Sequence, residues 1–212
     1  MKSAERPAVI GLMADSHGQP GTIAAAVACL NQRRCTQIFH LGDICDSFQP
    51  DSALACIELL QAHRIQALKG NNDHTMAVNL AGHNDQALQT VARFLHALPL
   101  IRYWGDAVLT HSLPFVDELG PVALIGTMGK PEAQRFFAGA PQALLFRGHG
   151  HAPTIMWQNA GEIVTTALAP RDTVDLNGRR PCVVTCGALT SGYCMIWNPE
   201  TSQLTCLGFK PV

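Results

Sequence analysis

Short apolar runs alternate with helical patterns along the first third of the chain. Residues 8–14 form an apolar run ended by Asp15-Ser16-His17-Gly18, and residues 38–41 form another ended by Gly42-Asp43. Residues 65–68 form a third, followed by Gly70-Asn71-Asn72-Asp73. Runs of this length bounded by polar turns predict buried strands. Between them Ile23, Val27 and Leu30 recur at helical spacing and predict a helix over 22–33. Leu54, Ile57 and Leu60 predict a second over 51–63, with Pro50 just before it. Strand–helix alternation is the pattern of a parallel sheet, whose ligands lie beyond the carboxyl ends of its strands.

The pattern then loosens. A helix is predicted over 85–97, and a turn at 104–107 leads into a strand over 108–110 ended by His111. Residues 112–129 read as loop, 131–138 as a short helix, and 143–146 as a strand ended by Gly148-His149-Gly150-His151. Beyond Pro153 the strands expected are 155–158, 162–168, 182–186, 193–197 and 203–209. Turns such as Asn159-Ala160-Gly161 and Asn198-Pro199-Glu200 separate them and predict antiparallel hairpins. No repeat, low-complexity tract or linker interrupts the chain. The expectation is one domain over 1–212, with a mixed, partly parallel sheet and an antiparallel sheet packed on it.

Composition narrows the function. A chain of 212 residues buries roughly 70% of the surface its unfolded form exposes, so its core needs no disulfide staples. Fifteen basic and sixteen acidic side chains give a net charge of −1. Such a balance supplies no drive toward a phosphate backbone and disfavours a dedicated nucleic-acid-binding domain. The eight cysteines form no C-x-x-C pair, which disfavours a zinc knuckle or a thioredoxin-like site and suits buried thiols in a reducing compartment. The apolar run after the charged start is short and ends at Asp15 and His17, unlike a signal peptide or a membrane span. A cytoplasmic protein with no membrane association is expected.

The candidate chemistry lies at the run ends. Five apolar runs end in metal-ligand residue types: Asp15 and His17, Asp43, Asn71, His111, and His149 and His151. In an extended chain residues i and i+2 point the same way, so each two-residue pair can face one site. A glycine immediately before three of the five elements allows close backbone approach. Two carboxylates, an amide and four imidazoles, without a thiolate, suit Mn, Fe, Co, Ni or Zn better than Ca or Mg. Seven ligands are too many for one catalytic metal with an open position, and they suffice for two if a carboxylate bridges.

The order D-x-H, G-D, G-N, H and G-H-x-H, complete here from Asp15 to His151, resembles the calcineurin-like metallophosphoesterase superfamily. The resemblance implies an α/β fold, a four-layer α/β/β/α sandwich of two mixed β-sheets flanked by helices. It implies two divalent metal ions, manganese favoured: one on Asp15, His17 and His151, the other on Asn71, His111 and His149, with Asp43 bridging. Asp43, Asn71 and His111 are then the catalytic candidates. The implied reaction is hydrolysis of a small phosphodiester by a metal-bridging hydroxide, the partner being a small phosphorylated substrate and not a long nucleic acid. Many relatives carry His after G-N, thought to assist phosphate binding or protonate the leaving group. Here Asn72 stands there, and an amide cannot act as an acid, which favours the small phosphodiesterases of the superfamily. Asn72 and His74 are the candidate substrate-binding residues. Ser47 replaces the phosphate-gripping Arg of the protein phosphatases, and Ser112 follows His111 where Gly is frequent. Asp46 is a candidate support for a ligand His or a loop cap, and Arg171, Arg179 and Arg180 are candidates for the rim or for a solvated hairpin. His63, His83 and His96 read as solvated. A broad phosphomonoesterase, a short-oligonucleotide nuclease and a non-catalytic protein-binding scaffold are the rival functions.

Overall fold

The structure is a computed structural model and describes residues 8–211. The charged start read as unlike a signal peptide lies largely outside them. In chain order the first half gives β1 (Ile10–Met13), α1 (Pro20–Gln32), β2 (Gln37–His40), α2 (Ala53–Ala62), β3 (Gln66–Ala67), α3 (Asn71–Asn79), α4 (Gln86–Ala97), β4 (Ile101–Trp104) and β5 (Ala107–Thr110). The second half gives α5 (Val116–Leu119), α6 (Lys130–Gly139), β6 (Leu144–Arg147), β7 (Thr154–Asn159), β8 (Glu162–Ala167), β9 (Thr173–Asp175), β10 (Cys182–Thr185), β11 (Tyr193–Asn198) and β12 (Gln203–Gly208).

Two six-stranded sheets result, ordered β3-β2-β1-β11-β12-β9 and β4-β5-β6-β10-β7-β8. Strand alternation explains the layers. Ile10 and Leu12 of β1, Leu144 and Phe146 of β6, and Met195 and Trp197 of β11 meet in one apolar cluster between the sheets. Met13 and Ile38 face the other way, against Ile23, Val27 and Leu30 of α1 and Ile57 and Leu60 of α2. Leu145 and Val183 face Ala133, Phe136 and Phe137 of α6. Strands covered on both faces read as continuous apolar runs, and for that reason β1, β6 and β10 are buried throughout. The four-layer α/β/β/α arrangement is therefore present.

The expected antiparallel sheet does not exist as a unit. Strand β10 lies between β6 and β7, parallel to the former. Strand β11 crosses to the other sheet and pairs antiparallel with β1. Both sheets are mixed, because hairpin patterns fix local pairing and not the sheet that a hairpin joins. Helix α3 replaces the loop expected after Gly70, and the short strands β4 and β9 lacked a long enough pattern to be read. Among the described residues no helix is long and apolar enough to cross a membrane. All eight thiols are free, six of them buried.

Trp197 packs at a tilt against Phe146 across the sheets, ring centroids 4.9 Å apart, and its indole nitrogen is buried without a partner among the described residues. Trp197→Ala should cost about 3–5 kcal/mol in urea unfolding through the cavity it leaves. Trp197→Phe should cost much less, since it removes the orphaned donor while keeping most of the ring.

Candidate metal centre

The loops after β1, β2, β3, β5 and β6 meet at the carboxyl ends of the parallel strands of both sheets. Backbone bonds join the first two: Asp15 N donates to Gly42 O at 3.0 Å, His17 N to Asp43 O at 3.1 Å and Gly18 N to Ile44 O at 2.9 Å. The fifth loop closes on the first, where His149 N donates to both carboxylate oxygens of Asp15 at 3.2 and 3.1 Å. Asp15, His17, Asp43 and His149 have φ of 57°, 44°, 55° and 61°. The extended geometry expected for Asp15-x-His17 and His149-x-His151 is thus corrected: left-handed residues aim these side chains. Such residues cost about 1–2 kcal/mol each and persist where the surroundings over-determine them. The glycines serve the same crowding. A Cβ on Gly42, itself at φ 95°, would lie 2.7 Å from His111 Nδ1, and one on Gly70 would overlap the Asp43 backbone nitrogen and carboxylate.

All seven expected ligands come together, in two groups. Asp15, His17 and His151 form one, and Asp43, His111 and His149 the other, each with donor atoms within 4.8 Å of one another. His17 Nε2 is 3.2 Å from His151 Nε2. Asn71 Oδ1 joins the second group, 3.0 Å from both His111 Nε2 and His149 Nδ1. Ligands on a cation ~2.1 Å away lie ~3.0–3.4 Å from each other; the imidazole and amide donors show that spacing, while His151 Nε2 lies 4.0 Å from Asp15 Oδ1. Asp43 faces both groups: Oδ2 lies 4.0 Å from His17 Nε2, and Oδ1 lies 3.5 Å from His111 Nε2.

The electrostatics fit cations. Asp15 and Asp43 are 0% and 2% exposed, and burial, reinforced by the Asp43 charge, pushes the Asp15 carboxyl well above the usual range. A divalent ion between them would offset both costs. Burial lowers His111 to about 4 and also lowers His17 and His149. Neutral rings with free lone pairs are what a metal requires. His111 Nδ1 donates to Leu41 O at 2.8 Å, leaving the Nε2 lone pair for the site.

Several side chains support these loops, and of them Asp73 and Arg147 were not expected from sequence. Asp73, fully buried, accepts from Gly70 N at 2.9 Å, Ile44 N at 2.9 Å and Cys45 N at 3.0 Å, tying the Asp43 loop to the Asn71 loop. Burial, with Asp43 nearby, raises its carboxyl to about 7 against those three donors. Its position three residues beyond the helix cap Gly70 is the capping-box spacing, the one available signal for α3. Ser16 Oγ donates to Ile44 O and lies 3.0 Å from Nε2 of buried His40, so His40 braces the Asp15–His17 loop. Arg147, also buried, binds Ser112 and Thr185 behind the His149 loop.

Other candidates sit differently. Asn72 does not present a free amide to the site: Nδ2 donates to Asp43 Oδ2 at 2.7 Å and Oδ1 accepts from Ser47 Oγ at 2.9 Å. His74 lies on the first turn of α3, partly exposed. Asp46 caps its own turn by accepting from Phe48 N. Arg180 is held by Asp106 and Gln142 O, at the strand ends opposite the ligands. Arg179 donates to Asp175 O.

A family model, the calcineurin-like phosphoesterase superfamily domain, matches residues 9–176, and the chain belongs to that superfamily. A metallophosphoesterase from Sphaerobacter thermophilus superposes with a TM-score of 0.78 at 19% identity, over 98% of this chain and 90% of that one. A hypothetical protein from Pyrococcus horikoshii OT3 gives 0.66 at 12%, over 97% and 89%. An archaeal phosphodiesterase gives 0.54 at 14%, over 95% and 99%. At these identities the likeness shows the fold. No curated protein matches the sequence.

Gly70→Ala should displace the Asp43 loop and lower Mn²⁺ affinity by about tenfold or more, measured calorimetrically, with far-ultraviolet circular dichroism retained. Unchanged affinity would show that the close approach of the two loops does not shape the centre.

Proposed function

We propose that this domain is a two-metal hydrolase of small phosphodiesters. The observation that carries the proposal is the placement of Asp43, one oxygen toward each ligand group. Asp15, His17 and His151 would hold one ion, and Asn71, His111 and His149 the other. Two divalent cations there would polarise the phosphoryl oxygens and acidify water near neutral pH.

The chain's own groups set the rest. Asp43 fixes the separation of the two groups and is itself held by Asn72, whose backbone N–H donates to Oδ1 at 2.8 Å and whose side chain donates to Oδ2. Asn71 turns its oxygen to the two imidazoles and leaves its NH₂ to donate to a phosphoryl oxygen. His151, with a side chain 55% exposed, marks the open edge where substrate enters. Asn72 has no proton to give the leaving oxygen, so a leaving alcohol must take its proton from water. The net charge of −1 supports a small substrate over a long nucleic acid. A ligand set complete at all seven positions supports catalysis over a scaffold role, since a half-built site would leave buried polar groups uncompensated. The eight free thiols support a cytoplasmic location.

The test compares bis(p-nitrophenyl) phosphate with p-nitrophenyl phosphate at saturating Mn²⁺. The diester should turn over faster, and Asp43→Asn should lower kcat by about a thousandfold. Faster monoester turnover would make the protein a phosphomonoesterase, and an Asp43→Asn enzyme with most of its activity would remove Asp43 from its role.

A further inference from the structure

A cavity of about 590 Å³ opens beside the His149–His151 loop. It lies on the α6 side of the second sheet. Thr154 and Met156 of β7, Thr165 of β8 and Thr185 of β10 form its wall, and Met128 and Lys130 its rim. Its charged lining residues, among those described, are Arg147 and Lys130; no acidic side chain faces it.

Arg147 is 5% exposed. Its Nε donates to Ser112 O at 3.0 Å, Nη1 to Thr185 Oγ1 at 3.1 Å and Nη2 to Ser112 Oγ at 3.3 Å. These partners are neutral oxygens, and one N–H on each terminal nitrogen is left over. A buried guanidinium is ordinarily paired with an anion. Asp15 attracts it through space, but among the described residues the two form no ion pair, and Asp15 belongs to the ligand group with His17 and His151. Helix α6 begins at Lys130, which brings that ammonium to the rim. Its own first-turn acid, Glu132, turns back to cap Gly129 N.

We propose that this cavity is the leaving-group subsite and that it takes a second phosphate. The substrate is then a phosphodiester whose released alcohol itself carries a phosphate monoester, gripped by Arg147 in the wall and Lys130 at the rim. Met128 and Met156 provide the apolar surface for the carbon chain between the two phosphates. The inference rests on the phosphodiesterase proposal for the adjoining centre and names its substrate class.

The experiment is calorimetric titration of the Mn²⁺-loaded protein with propane-1,3-diol bisphosphate and with propyl phosphate. The bisphosphate should bind at least about tenfold more tightly. That ratio should fall toward one in Lys130→Glu, at an exposed first-turn position, and in Arg147→Gln. A ratio below about two in the unmodified protein, or a ratio that survives Lys130→Glu, would overturn the subsite. Diester hydrolysis is measured separately: a preference that holds and is lost in the variants, without diester turnover, would retain the subsite and reject the phosphodiesterase proposal.

Discussion

Two carboxylates, Asp15 and Asp43, are buried close to one another, and no lysine or arginine is paired with either among the described residues. Like charges taken out of water repel strongly. Burial and that repulsion together push the Asp15 proton affinity up. The surrounding imidazoles are held neutral by the same burial, so they offer lone pairs and no compensating charge. The strain is removed if cations sit where the lone pairs converge. The site is a deficit of positive charge that the fold is built to hold open.

Holding it open requires several costs to fall on one small volume. Four ligand residues adopt left-handed backbone, and two glycines let backbone pass where a Cβ would collide. The compensation is a rigid frame. Asp73 accepts three backbone N–H groups from two loops, Leu41 O fixes the His111 ring, and the loops are sewn together by backbone bonds. The two sheets bring the loops to one place because their parallel strands end on the same side. Preorganisation of this kind, in a layered core with Trp197 and Phe146 at its centre, is what lets ligands from five distant segments meet within hydrogen-bond range.

Much of the site was legible in the sequence, and the fold only in part. Apolar runs ending in Asp, Asn and His pointed to the candidate ligands that the fold gathers, because a buried parallel strand both reads as a continuous run and delivers its last residue to the sheet edge. The destination of β10 and β11 was not legible, because strand patterning carries no information about which sheet a strand joins. Helix α3 was hidden by Asn71-Asn72-Asp73, residues that favour turns unless a side chain such as Asp73 reaches back to the cap. The left-handed conformations of Asp15 and His149 were equally hidden, since nothing in D-x-H or H-x-H distinguishes them from extended chain. Asn72 illustrates the limit for individual roles: its identity showed that it could donate no proton, and only the structure showed its amide engaged with Asp43 and Ser47.

The most direct measurement of the central claim is an anomalous-scattering map of crystals grown with Mn²⁺. Two peaks are expected, one on each side of the Asp43 carboxylate and ~3.5–4 Å apart, with Asn71 on the peak nearer His111. A single peak, or peaks that leave Asp43 without a metal contact, would contradict it.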